Sequence, residues 1–256
     1  MSSKVLVEAR GAVRWIVINR PERKNALDRE TMIAIREAIV RGGNDPTIRV
    51  LVLGGAGGAF SSGADLKANS EAQGQEDMIE AYFNPAIRAI RHARKPVIAA
   101  VDGVATGFGC SLALACDIRL ATERAKLSLI FVKVGLSLDG GASYFLPRLV
   151  GLRAYELALT GDMIDAERAE RIGLVNQLMP AERFDAEVQR YAERLALQAP
   201  IAMAKIKESI DRALDAGLDE VLERERYHQQ DIFRTEDFGE GVRAFLEKRP
   251  AVYKGR

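Results

Sequence analysis

The chain reads as an α/β protein, and three observations predict that class. Apolar runs Val50–Leu53 and Val97–Val101 have the length and content of buried strands. Each run leads into a glycine-rich turn and then a helical pattern, so strands and helices alternate. After about Phe184 the alternation gives way to helical periodicity alone. The boundary is placed near Pro200, between a core over residues 1–198 and a helical region over 199–256.

Taken in order, Val5 to Ala9 and Val13 to Asn19 read as two strands turned at Arg10-Gly11. Asp28 has the character of an N-cap for a helix through about Val40, with Met32, Ile35, Ala38 and Ile39 on one face. Gly42-Gly43 is expected to end it. The strand Val50–Leu53 is followed by the turn Gly54 to Gly63. Ser70 to Asp77 is small and polar, and Met78 to Arg91 is helical. Strand Val97–Val101, the turn Asp102 to Gly107 and a helix through Ala115 repeat the plan. Ile118 to Ala121 and Leu127 to Leu129 are short strand candidates. Asp185–Leu197, Ile201–Ala216, Leu218–Gln230 and Thr235–Lys248 are helical.

Lysine plus arginine number 37 against 36 acidic residues, a net charge of +1, which gives no footprint for nucleic acid or a membrane surface. The N-terminus lacks the apolar core of a signal peptide, and no apolar run is long enough to span a bilayer. Cys110 and Cys116 read as small core residues of a protein in a reducing compartment, and the cytoplasm is the expected location. No metal-ligand cluster or dinucleotide fingerprint is present, so no metal or redox cofactor is expected.

The glycine turns carry the chemistry. A strand–glycine–helix turn presents bare backbone N–H groups at a helix N-terminus, where negative charge is favoured. Two such turns aimed at one oxygen would form an oxyanion hole. The segment Ala59-Phe60-Ser61-Ser62-Gly63-Ala64-Asp65-Leu66 and the segment Gly103-Val104-Ala105-Thr106-Gly107-Phe108-Gly109 resemble the two signature patterns of the crotonase superfamily, the enoyl-CoA hydratase and isomerase group. The resemblance runs to the C-terminal Ala244–Arg249. It implies a spiral of strand-strand-helix repeats, an acyl-CoA thioester substrate with coenzyme A present only as part of that substrate, and a C-terminal helical region that packs subunits into a trimer or a dimer of trimers.

The same resemblance assigns roles by position. The oxyanion N–H groups fall on Ala64 and Phe108, where the second position is usually glycine in hydratases. Arg23, Lys24, Ala26 and Leu27, in the loop Arg20–Leu27, match positions along the CoA moiety, and a basic pair suits its phosphates. Ala64, Asp65 and Leu66 match the adenine-pocket wall, with Asp65 also a candidate helix-start residue. Phe245 and Lys248 match positions that complete a CoA site, in some members a neighbour's. The two glutamates that position water in a hydratase fall on Ser111 and Phe131, so both carboxylates are missing. His92 and His228 match no catalytic position and read as surface residues. One carboxylate remains: Asp139, in Gly135-Leu136-Ser137-Leu138-Asp139-Gly140-Gly141, resembles the proton-handling aspartate of superfamily isomerases of the 1,2-epoxyphenylacetyl-CoA and 3,2-enoyl-CoA type. Leu138 stands where proline is common. An isomerase needs only one base, and burial beside an apolar wall such as Phe108 and Phe131 would raise its pKa usefully. Taken alone, Asp139 also reads as a turn residue or N-cap. The dehalogenase members need a histidine where this chain has Arg88. The expectation is an isomerase of unsaturated acyl-CoA, with a hydratase and a non-catalytic acyl-CoA binder as alternatives.

Overall fold

Six strands pair into one sheet in the order β1 (Val5–Arg10), β2 (Val13–Ile18), β3 (Val50–Gly55), β4 (Val97–Val101), β6 (Ile118–Thr122), β9 (Gln177–Met179). A computed structural model describes residues 3–71 and 77–256 of the chain. Only β1 runs antiparallel to its neighbour, closing the hairpin at Gly11; the other pairings are parallel. A second sheet holds β5 (Val104–Thr106), β7 (Lys126–Ser128) and β8 (Ile164–Asp165). Strand β4 and its successor β5 go to different sheets, and so do β6 and β7. Each repeat therefore gives one strand to each sheet and then a helix: α4 (Phe108–Ala115) after β5, and α5 (Ala142–Val150) after β7. That is the expected spiral. The small sheet reaches the first repeat through a parallel bridge between Ser61 and Ala105.

Parallel strands covered on both faces read as continuous apolar runs, and β3 and β4 are buried along almost their whole length. Alternate residues face two cores. Leu51, Leu53, Ala99 and Val101 face the larger, with Met32, Ile35 and Ile39 of α1 (Arg29–Asn44). Val50, Val52, Ile98 and Ala100 face the smaller, with Trp15 and with Phe184, Val188 and Ala192 of α8 (Phe184–Ala196). Trp15 Nε1 donates to Gln189 Oε1 at 2.7 Å, which gives the buried indole its partner and fixes α8 on the sheet.

Asp28 caps α1 through the Thr31 N–H at 2.9 Å, as its position predicts. Gly42-Gly43 does not end the helix, which runs on to Asn44. The reason is packing: a Cβ on Gly42 would lie 2.6 Å from the Leu51 side chain and 2.9 Å from that of Arg14. Positions 72–76 of the polar stretch lie outside the described residues. Around it stand α2 (Leu66–Glu71), a π-helical turn Ile79–Phe83 and α3 (Asn84–His92). The glycine turn after β4 holds a strand, β5, that its composition concealed. The short α6 (Arg153–Thr160), α7 (Ala166–Arg171), β8 and β9 were not legible in the sequence pattern.

The tail is helical: α9 (Pro200–Ala213), α10 (Leu218–Ile232) and α11 (Glu236–Glu247). Its helices bury few residues, and Ile206, Ile210, Leu218, Leu222, Phe233 and Phe245 are exposed. His228 is an exception and a correction: it is buried, with Nδ1 2.8 Å from Ser209 Oγ. His92 is exposed. Cys110 and Cys116 are free and buried, and burial pushes both thiols up to about 12. No described helix is long and apolar enough to cross a membrane.

Candidate active site

Three loops converge at the C-terminal ends of β2, β3 and β4. Asn25, in the loop after β2, is fully buried and holds a positive φ of 56°. Its Nδ2 donates to the carbonyls of Ala56 and Ala59, and its Oδ1 accepts the Arg20 N–H. The loop after β3 is stitched to β5 in turn: Phe60 and Ser61 N–H donate to Val104 O, and Thr106 N–H donates to Ser61 O, all at 3.0 Å. Gly103, at φ +61°, lets the two turns touch, because a Cβ there would lie 2.0 Å from Gly58 O.

This frame brings the two predicted N–H donors together. Leu27 N–H donates to Gly63 O at 2.8 Å, and Asp65 N–H donates to Leu27 O at 2.9 Å. Along such a bridge the intervening Ala64 N–H faces the opposite way. Phe108 is the first residue of α4, where an N–H has no partner within the helix. Among the described residues neither N–H donates to a backbone carbonyl. Gly63, at φ +97°, sits between them: a Cβ on it would lie 3.5 Å from Phe108 N.

Asp139 reaches the same place along the loop that precedes α5. Its neighbour Gly140 abuts the first turn of α4: a Cβ on Gly140 would lie 2.8 Å from both the Phe108 ring and Ser111 Cβ. Asp139 Oδ1 is buried and has no hydrogen-bond partner among the described residues. Burial pushes its carboxyl up to about 6, because a low-dielectric setting disfavours the charged form. Ser111 is fully buried, with its hydroxyl directed at Gly107 O, and Phe131 is buried in a 3-10 turn over Ile130–Val134. Neither Ser111 nor Phe131 carries a carboxylate. Leu136 and Leu138 from the Asp139 loop, with Phe131 and Leu146, line an apolar cleft of 830 Å³.

The structure gathers part of the predicted CoA set. Arg23, Ala26, Ala64, Asp65 and Leu66 line one open cleft of 690 Å³ with Glu22. Lys24 is exposed on the same loop, at φ +49°. Leu27 is different: its side chain is wholly in the core, so it shapes the cleft through its backbone alone. Asp65 is chiefly a strut. Its carboxylate pairs with Arg20 at 2.9 Å and caps α2 through the Ala68 N–H at 3.2 Å. Burial would raise this carboxyl, but the Ala68 N–H and the Arg20 guanidinium hold it below the usual range. Phe245 and Lys248 are not brought to this cleft. Phe245 is 83% exposed and lines a separate cleft among α9, α10 and α11, and Lys248 ends α11 at φ +53°. Sequence reasoning passed over Asn25 and Arg20. The signal available for Asn25 was an asparagine inside a turn, where a left-handed conformation is tolerated.

Two N–H groups with no backbone acceptor among the described residues, beside one half-buried carboxyl, suit the oxygen of an acyl thioester. The comparisons with known proteins agree. Residues 8–256 match the model of the family described as enoyl-CoA hydratase/isomerase, and the chain belongs to that family. It is 37% identical to the 1,2-epoxyphenylacetyl-CoA isomerase of Escherichia coli K12, over 100% of both chains. It is 40% identical to a probable enoyl-CoA hydratase of Rhizobium meliloti, over 98% of both. An enoyl-CoA hydratase structure from Bacillus anthracis superposes with a TM-score of 0.94 at 33% identity, covering 99% of this chain and 100% of the other.

Proposed function

We propose that this protein is an isomerase of unsaturated acyl-CoA thioesters, acting by proton transfer through a stabilised enolate. The observation that carries the reading is the buried Asp139 Oδ1 beside the first turn of α4, without a hydrogen-bond partner among the described residues. In a 3-enoyl-CoA, the thioester oxygen accepts hydrogen bonds from the Ala64 and Phe108 N–H groups. The Asp139 carboxylate removes a proton from C2, and the electron pair delocalises through the double bond onto that oxygen. The same carboxyl returns the proton to C4, leaving a conjugated 2-enoyl-CoA. The epoxide-to-oxepin rearrangement of a ring substrate needs the same oxyanion support, and the name of the 37% identical relative favours it as the particular reaction. Arg23 and Lys24 hold the CoA phosphates.

The test is the ultraviolet absorbance of the conjugated thioester, started from 3-enoyl-CoA. A rise is expected, and Asp139→Asn is expected to lower the rate about 10²–10⁴-fold, the usual loss for a general acid–base. Full activity in Asp139→Asn would overturn the reading. Hydration is the second reading, favoured by the relatives named hydratase. A fall in absorbance from 2-enoyl-CoA would support it, whereas Ser111 and Phe131 predict none. Tight acyl-CoA binding without turnover of either substrate would point to the ring epoxide, and silence on that substrate too would mark a non-catalytic binder.

A further inference from the structure

The phenylalanine at an oxyanion position raises the question of where its ring goes. Phe108 is 1% exposed, and its ring packs into Gly140, so the side chain bears directly on the loop that carries Asp139. The ring also meets Phe83, edge-on at a centroid distance of 4.6 Å and an interplanar angle of 88°. This is the arrangement in which the positive edge of one ring meets the negative face of the other.

Phe83 owes its position to a local irregularity. It is the last residue of the π-helical turn Ile79–Phe83. Pro85, at the start of α3, has no N–H to give to Ala81, and the Asn84 N–H reaches back five residues to Ile79 O. Such turns are rare, and they concentrate at functional sites. The inserted residue turns Phe83 and Tyr82 inward, and both are buried.

We propose that Phe83 is a positioning residue: its ring clamps the Phe108 side chain against Gly140, which holds the Asp139 carboxyl dry and in register with the Ala64 and Phe108 N–H groups. The inference rests on the reading of Asp139 as the proton carrier. One side chain thus links the oxyanion donor to the base, and Phe83 acts on both through it.

The experiment follows the Asp139 carboxyl directly by carbon-13 NMR titration of the full-length protein, beside the pH profile of kcat and KM for 3-enoyl-CoA. In the wild type Asp139 is expected to titrate at about 6. Phe83→Ala is expected to shift the midpoint toward the ordinary carboxylate range and to lower kcat about tenfold with little change in KM. Phe83→Tyr, which keeps the ring, is expected to stay near wild type. Phe108→Ala keeps the backbone N–H, and adding Phe83→Ala to it is expected to move the midpoint no further, because the two rings act as one unit. An unchanged midpoint and kcat in Phe83→Ala would overturn the proposal, as would additive shifts in the double variant. Should the alanine variant not fold, Phe83→Leu is read in the same way. If Asp139 titrates near 6 and responds to Phe83 but Asp139→Asn retains activity, the reaction reading has failed while the clamp stands.

Discussion

Asp139 is the residue at which stability and function oppose each other. Its carboxyl is raised to about 6 by burial, against an ordinary value of 3.8. A raised folded-state pKa means that the folded protein holds its proton more tightly than the unfolded chain does. No penalty applies below about pH 4, where both states are protonated; it grows between pH 4 and 6 and is complete above 6. Asp139→Asn removes the buried charge, so it is expected to melt higher than wild type at pH 8 and close to wild type at pH 4. Thermal melts at those two values check this, and an equal offset at both would show that charge is not the cause. For catalysis the same titration has the opposite sign. The base must be ionised to accept a proton, so kcat/KM for 3-enoyl-CoA is expected to rise through about pH 6 and level off above it. Asp65 shows how position redefines a carboxylate. It lines a cleft with Arg23, but two hydrogen-bonded partners keep it ionised and fixed. Asp65→Ala leaves the buried Arg20 with Asp28 and the Ala26 carbonyl, and is expected to destabilise the fold by about 3 kcal/mol in denaturant melts.

At the level of elements, the site exists because two glycine turns can be pressed together without side chains between them. The parallel bridges Leu27–Ala64 and Ser61–Ala105 lock three segments, and α4 starts where they meet. Gly63 is the critical position: its φ of +97° is strained for any other residue, and a Cβ would lie 2.8 Å from Thr106 O. Gly63→Ala is expected to cost about 1–3 kcal/mol of stability. It also tilts the Ala64 N–H, so kcat is expected to fall while CoA affinity is kept. Steady-state kinetics with free CoA as a competitive dead-end inhibitor separates the two; parallel losses would mean that the turn serves binding instead. The continuation of α1 through Gly42 follows the same physics in reverse, since there the missing side chain admits Leu51 and Arg14 rather than ending a helix.

On the scale of the whole molecule, the single chain leaves large apolar surface uncovered. Leu152, Tyr155 and Leu159 on or beside α6 are between 68% and 84% exposed, and α9–α11 carry further exposed Ile, Leu and Phe side chains. Surface of this kind marks association. Sedimentation equilibrium is expected to give a mass that is a multiple of three chains, and a chain ending at residue 198 is expected to lose that assembly. A monomeric full-length protein would sink the expectation. Phe245 lines a cleft separate from the one that Arg23 and Asp65 line, and Lys248 lines neither.

The α/β class, the long strands, the capped α1 and the two glycine turns were legible because each depends on residues close together in the chain. That Ser111 and Phe131 carry no carboxylate was legible for the same reason, since it concerns which residue stands at a position. The short β5, β8 and β9 escaped, because strands of two or three residues are formed by their partners rather than by their own pattern. What only the tertiary structure decided is environment. Leu27 belongs to the core, Asp65 to an ion pair, and Asp139 Oδ1 to a buried place with no hydrogen-bond partner among the described residues. The Phe83–Phe108 contact joins residues 25 positions apart through a π-helical turn. Burial and desolvation are set by atoms that arrive from distant segments, so the chain names the carboxyl, and the fold alone decides its surroundings.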